Sequence, residues 1–488
     1  MQLYPSEIRN WIAGTEVGPA LAEFFQKRSP ATGAVLCRAA RSNASDIANA
    51  VAAAKAAQPG WGDTPPVKRG EVLHAVTMAL KSAREQMARI VAEETGKSFK
   101  SALGETDGAI AQGLFMAGEG QRFYGRTSTS ATPNKHTMTI RQPVGVAGLI
   151  IAANTPIANV AWKVFPALIC GNAAVLKAAE DTPGTAWFFA GIAQEAGLPP
   201  GVLNVVQGFG REAGMPLVEH PEVGVVSFTG STRAGREIAV AAGRRLAKVS
   251  LELGGKNPLV VCDDADLENA VEWAVQSAFS NAGQRCASGS RLIIFDAVYE
   301  RFKTLLIERT RALRVGPADE DDFGPVINER QLQAMLSAIE TARDQGATVL
   351  HGGQRLEDDA HKDGFYLAPT LVEGASPQAD ISTTELFGPI ACLYRVADFA
   401  KALALANDSP YGLTACIHTR NVHRALEFVR RVATGVAVVN AGTFGSEPHM
   451  PFGGTKQSGN GSREPGTEAL DVYSDLKDVY ITIDPRQT

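Results

Sequence analysis

Two stretches of this sequence hold residue types that can carry out covalent chemistry together. Leu251-Glu252-Leu253-Gly254-Gly255-Lys256-Asn257 puts one carboxylate at the end of an apolar run, beside a glycine pair that strips away side-chain bulk. Asn281-Ala282-Gly283-Gln284-Arg285-Cys286 puts one thiol among small and polar residues, next to an arginine. A thiol attacks only as its thiolate, and the group it captures leaves only if a base activates water. A carboxylate and a cysteine converging on one pocket supply both functions. Singly they say little: a cysteine is as readily a buried inert thiol, and a lone glutamate is most often solvated.

Other segments have the composition of ligand-binding turns. Phe228-Thr229-Gly230-Ser231-Thr232-Arg233-Ala234-Gly235 follows a strand-like run and opens a helical one. A helix N-terminus there offers free amides and a positive dipole end to phosphate, and Ser231 adds a hydroxyl. The spacing also suits a plain structural turn. Upstream, Gly208-Phe209-Gly210-Arg211-Glu212-Ala213-Gly214 has one residue too many for a dinucleotide fingerprint and reads as a strand-to-helix turn. Lys177-Ala178-Ala179-Glu180 lies just past a strand, at the end where open α/β sheets bind ligands.

The elements that must position these residues alternate. From Pro143 onward, apolar strands are expected at 145–151, 173–177, 203–206 and 223–228, with helices between them, as in a doubly wound parallel sheet. Before that, Ser45 is expected to cap a helix stopped by Pro59-Gly60. One long amphipathic helix should follow Pro65-Pro66 and end at Thr95-Gly96. Residues 127–141 and the alternating tail from Val472-Tyr473 to Ile483 read as exposed strands, and more α/β material begins near Gly255.

A chain of 488 residues, 45% hydrophobic and 20% charged, should form two or three globular domains. A net charge of -5 leaves no basic footprint for nucleic acid. No apolar run is long enough to span a bilayer, and the opening Met1-Gln2-Leu3-Tyr4-Pro5 lacks the pattern of a secretory signal. Six scattered cysteines without a CxxC pair argue against a zinc site or a disulfide framework, and for a reducing, cytoplasmic setting.

Taken in order, the motifs closely resemble those of the aldehyde dehydrogenase superfamily. The glutamate signature is at 251–258 and the cysteine signature at 281–286, separated by 34 residues from Glu252 to Cys286. Asn440-Ala441-Gly442 and the run from His449 to Gly459, with Phe452-Gly453-Gly454 and Ser458-Gly459, extend the resemblance over almost the whole chain. It implies an α/β protein with a Rossmann-like doubly wound cofactor domain (1–124 and 143–254) and an α/β catalytic domain (255–454). A small β oligomerisation ribbon (125–142 and 470–488) would complete it.

The resemblance also implies roles. Cys286 would be the nucleophile, Glu252 the base for water, and Asn154 an oxyanion donor with the Cys286 amide. Lys163 and Glu464 match positions of a proton relay, and a structural ion pair is an equal reading. Gly230, Ser231 and Gly235 would hold the cofactor pyrophosphate, and Gly210 would turn near the adenine. Lys177 and Glu180 would hold the adenosine ribose, and Glu385 and Phe387 the nicotinamide end. Glu180 accepts ribose hydroxyls but repels a 2′-phosphate, which tilts the cofactor to NAD and leaves NADP open. No metal is implied. The family assembles as homodimers or homotetramers.

Two departures bear on the substrate. Ala153-Asn154-Thr155-Pro156 replaces aromatics that flank the asparagine in many relatives, and Ala287 replaces a threonine found in several. Arg285 could meet a substrate carboxylate, with Phe444 as a pocket wall, or form a structural ion pair, or lower the Cys286 pKa. The expected activity is NAD(P)-dependent, CoA-independent oxidation of a small-molecule aldehyde, with an acid semialdehyde slightly favoured over a broad aliphatic or aromatic range. The presence of Glu252 speaks against acyl transfer to CoA. A non-catalytic structural member of the fold is the alternative of another class.

Overall fold

Residues 3 and 5–487 are described in this computed structural model; Met1, Gln2, Tyr4 and Thr488, which fall in the opening segment and the tail, lie outside the described residues. The first large sheet has seven strands in the order Lys248–Glu252, Val223–Thr229, Val146–Ile150, Ala173–Lys177, Leu203–Val206, Asn10–Ile12 and Thr15–Val17. The first five are parallel and the last two antiparallel. The parallel strands are short apolar runs because both faces are covered, each by its own buried cluster. Strand order reverses between Val146–Ile150 and Val223–Thr229, which creates the crevice where doubly wound sheets take ligands.

The second sheet also has seven strands, from Thr348–His351 at one edge to Val436–Val439 at the other, and only that first edge strand is antiparallel. Its centre pairs Asn257–Val261 with Gly289–Phe295. The expected peripheral strands pair with each other: Lys135–Pro143 lies antiparallel to Ser474–Thr482 over nine residue pairs.

Three local expectations are corrected. The first helix runs Ala44–Asp63, straight through Pro59, and its cap is Asn43, whose side chain accepts from the Ser45 amide. Trp61, buried with its indole N–H on the Leu168 carbonyl, holds the last turn helical past the proline. The long helix is two, Pro66–Ser82 and Arg84–Thr95, broken at Ala83. Val472 and Tyr473 belong not to the tail strand but to a short helix, Ala469–Tyr473, because both are buried while the strand beyond Ser474 is mostly exposed. All six cysteines are free. No helix among the described residues is long and apolar enough to cross a membrane.

Candidate active site

Cys286 sits in the loop between helix Leu267–Phe279 and strand Gly289–Phe295. Three successive residues before it are left-handed: Asn281 (φ 56°), Ala282 (φ 53°) and Gly283 (φ 65°). For the two non-glycines this costs about 1–2 kcal/mol each, so the surroundings must hold it. The Asn281 amide donates to the carbonyls of Gln284 (3.1 Å) and Asn154 (3.3 Å), and Ser288 Oγ donates to the Gly283 carbonyl at 2.9 Å. Gln284 Oε1 accepts from the Ile327 amide at 2.9 Å. Gly283 lies against the Gly388 carbonyl, where an added Cβ would come within 2.1 Å.

Asn257 completes this clamp. Its Nδ2 donates to the carbonyls of Cys286 (2.8 Å) and Ser288 (2.9 Å), and its Oδ1 accepts from the Thr414 amide at 3.0 Å. It sits inside the glutamate motif, yet its type and position gave no sign of this role. Asn257→Leu should strand buried backbone groups, at about 1–3 kcal/mol each. A lowered unfolding midpoint in a thermal melt, with slower thiol alkylation at Cys286, is the expected result.

A cavity of about 370 Å³ opens in front of the thiol. Asn154, Arg285, Phe444 and Trp162 line it with Cys286, so the sequence brought the expected nucleophile, oxyanion donor and substrate residues to one place. Asn154 Nδ2 gives one N–H to the Gln284 carbonyl at 3.0 Å, leaving a second. Arg285 stacks on Phe444, its guanidinium carbon 4.9 Å from the ring centre, and its buried Nε has no partner. That placement excludes a structural ion pair for Arg285 among the described residues. Its effect on the thiol is small. Burial pushes Cys286 up to about 12, and Glu385 and Glu252 push the same way, while the Ala287 amide and Arg285 pull down less.

A buried ion pair that sequence reasoning missed flanks this cavity. Lys97 Nζ donates to Glu105 Oε2 at 2.6 Å and to the Asn154 carbonyl at 2.8 Å. Glu105 Oε1 accepts from the amides of Ile157 (3.0 Å) and Ala158 (3.3 Å), in the first turn of helix Pro156–Ile169. Lys97 pairs directly with Glu105, whereas Arg285 makes no ion pair among the described residues, although the Glu105 charge acts on it and Glu447 also lines the cavity.

Behind the thiol, Glu252 ends strand Lys248–Glu252 with both carboxyl oxygens buried and without a hydrogen-bond partner among the described residues. Burial, then the nearby Glu464, push its pKa well above the carboxylate range. A carboxyl raised in this way holds its proton more tightly than a solvated one and is a stronger base once ionised. Gly453 packs on Glu252 Oε1, which explains a glycine there: an added Cβ would lie 2.8 Å away. Lys163 and Glu464 are fully buried and paired at 2.8 Å, and Ser227 Oγ accepts from Lys163 (2.6 Å) while donating to Glu464 (2.7 Å). Tyr473 and Ser250 hydroxyls also donate to Glu464, so the pair is well satisfied, and its charge still reaches Glu252.

A second cavity, of about 460 Å³, lies at the reversal of strand order. Ile150, Phe228 and Ile238 give it an apolar wall, and Glu180, Gly210, Arg233 and Arg330 give it polar edges. Flat apolar sides with a carboxylate rim suit an adenosine. Lys177 Nζ donates to Glu180 Oε2 at 3.1 Å. Burial alone would raise Glu180, but Lys177 and its other partners outweigh it and hold the carboxyl below its ordinary value. Gly210 opens a wide turn, Gly210–Gly214, as the sequence implied. Ser231 is the N-cap of helix Thr232–Gly243, its Oγ accepting from the Ala234 amide at 3.3 Å. Gly235 faces away from this cavity's lining, under Leu253, where an added Cβ would lie 2.5 Å from a methyl. Arg285, Glu385 and Phe387 line one small hollow of about 10 Å³. Glu385 Oε1 accepts from the Gly255 amide at 3.0 Å, and burial pushes its pKa up to about 7.

A doubly wound crevice beside a clamped thiol and an unpartnered carboxyl is the setting of a cofactor-dependent enzyme. Residues 18–479 match the model of the aldehyde dehydrogenase family, and the chain belongs to that family. It is 38% identical to the alpha-ketoglutaric semialdehyde dehydrogenase of Bacillus subtilis over 97% of each chain. It is likewise 38% identical to the alpha-ketoglutarate semialdehyde dehydrogenase of Haloferax volcanii, over 97% of this chain and 98% of that one. Among solved structures, betaine aldehyde dehydrogenase from Staphylococcus aureus in complex with NAD+ superposes with a TM-score of 0.95 at 31% identity, covering 98% of this chain and 95% of that one.

Proposed function

We propose that this protein oxidises an anionic small-molecule aldehyde, an acid semialdehyde, to its carboxylic acid with NAD. The observation that carries the reading is Arg285 beside Cys286 on the cavity wall, with no ion pair and with its buried Nε lacking a hydrogen-bond partner among the described residues. Cys286 as thiolate adds to the aldehyde carbon. The resulting oxyanion takes hydrogen bonds from the free N–H of Asn154 and from the Cys286 amide, donors already fixed in a site shielded from water. Bound NAD supplies the acceptor for the hydride. What stays on Cys286 is a thioester, and Glu252 takes a proton from the water that cleaves it. Glu464, held by Lys163, sets how tightly Glu252 keeps that proton.

The cofactor's adenosine would lie in the crevice against Ile150 and Phe228, its ribose on Glu180, with Lys177 holding that carboxylate in place. Glu180 favours NAD over NADP. Gly230, Ser231 and Gly235 would serve the pyrophosphate at the start of helix Thr232–Gly243, where Gly235 also leaves room for Leu253. Glu385 and Phe387 would flank the nicotinamide end.

Arg285→Ala tests the substrate class. Losing a charged hydrogen bond of about 1.5–3 kcal/mol should raise KM for acid semialdehydes at least about tenfold and leave neutral aldehydes unchanged. Reduced-cofactor absorbance over a panel of both classes reads it. An equal effect on both would discard anion recognition and favour the second reading, a broad aliphatic or aromatic range, for which the Trp162, Phe444 and Phe452 wall speaks.

The paired strands Lys135–Pro143 and Ser474–Thr482 carry exposed Ile140, Leu476, Tyr480 and Ile481, a surface suited to a second copy of the chain. A homodimer or homotetramer follows, readable by sedimentation. Six unpaired thiols suit the cytoplasm.

A further inference from the structure

Helix Phe99–Glu119 forms one wall of the cavity in front of Cys286 and presents Ser101, Gly104, Glu105, Gly108 and Gln112 to it. The spacing is that of one helix face. Gly104 and Gly108 are not there for close packing, because a Cβ built on either meets nothing within 4 Å. Glycine weakens a helix interior, and here its effect is to keep side chains out of the cavity. Glu105 is accounted for by Lys97 and two backbone amides. Gln112 is not accounted for. Its side chain is fully buried, and neither Oε1 nor Nε2 has a hydrogen-bond partner among the described residues. Buried amides are almost always bonded. An unmet one on the wall of a cavity leaves its bonds to whatever fills that cavity.

We infer that Gln112 is a specificity-determining residue that hydrogen-bonds an oxygenated group, hydroxyl or carboxylate, at the far end of the aldehyde. The inference rests on the proposed aldehyde oxidation at Cys286. Asn154 and the Cys286 amide hold the reacting end. Lys97 ties Glu105 to the Asn154 backbone, and Gln112 lies two turns further along, about 10 Å up the helix axis from Glu105. Gly108 clears the space between them, and Gly104 the space one turn before it. A primary amide offers both a donor and an acceptor. A hydroxyl satisfies both atoms, and a carboxylate takes the N–H while Arg285 balances its charge.

The test is Gln112→Met, close in volume and without the amide, with Gln112→Leu as a second variant should the first fold poorly. Each is run with NAD on four- to six-carbon aldehydes ending in methyl, hydroxyl or carboxylate. For the hydroxyl- and carboxylate-ended compounds kcat/KM should fall at least about tenfold, carried by KM, while the methyl-ended compounds hold or gain. The KM for NAD and the rate of Cys286 alkylation should not move. A uniform loss across the three classes, or no loss, overturns the inference. Selective loss on the hydroxyl-ended set, with no selective effect of Arg285→Ala on acid semialdehydes, would sink the anionic-substrate reading and leave Gln112 standing.

Discussion

Cys286→Ala is expected to leave a folded protein that produces no reduced cofactor, with turnover down on the order of 10⁶-fold, the scale of losing the nucleophile of a covalent enzyme. No other thiol can replace it. Cys37, Cys170, Cys262, Cys392 and Cys416 are at most 2% exposed, and none lines the cavity. What sets Cys286 apart is access: it is the partly exposed thiol on the cavity wall, while the other five are buried away from it. The check is cofactor absorbance together with iodoacetamide labelling. The wild type should take up one label quickly and the variant none. A quickly labelled thiol in Cys286→Ala would refute the assignment.

Glu252→Gln separates the two halves of the reaction. Formation of the thioester does not use this carboxyl as base for water, but release of the acid does. The variant should therefore give a burst of about one equivalent of reduced cofactor per site, then a steady rate about 10²–10⁴-fold below wild type. The pH dependence has a definite sign. Burial and Glu464 raise the Glu252 pKa, so the basic form is scarce at low pH and grows as pH rises through that raised value. Wild-type steady-state turnover should climb with pH across that limb, and the limb should vanish in Glu252→Gln. A burst-free variant with unaltered pH dependence would remove Glu252 from the role.

Much of this site was legible because its chemistry is local in sequence. Cys286 and Arg285 are neighbours, Glu252 ends an apolar strand in a recognisable motif, and the parallel strands announce themselves as short apolar runs. What stayed hidden depends on contacts between distant segments. Asn257 looks like any motif asparagine until strand pairing brings it under Cys286. Lys97 and Glu105 drew no notice, because nothing local says that the Asn154 loop will cover them. Gln112 is one glutamine in a helix whose glycines suggest weakness, not a wall. Pro59 misled because Trp61 beyond it is anchored by a tertiary bond.

The way the C-terminal segment closes the first sheet bears on how the protein is made. Lys163 meets Glu464 301 positions later, Asn172 holds the Tyr473 carbonyl at 2.8 Å, and Pro143 pairs with Ser474. Each N-terminal partner leaves the ribosome long before its mate is synthesised. During translation the first sheet can assemble its strands, but Lys163 stays an unpaired charge and the floor behind Glu252 stays open. Such distant closures are slow to form and leave apolar edges exposed meanwhile. The pair behind Glu252 is therefore completed only when the segment from Glu464 to Ser474 has been made.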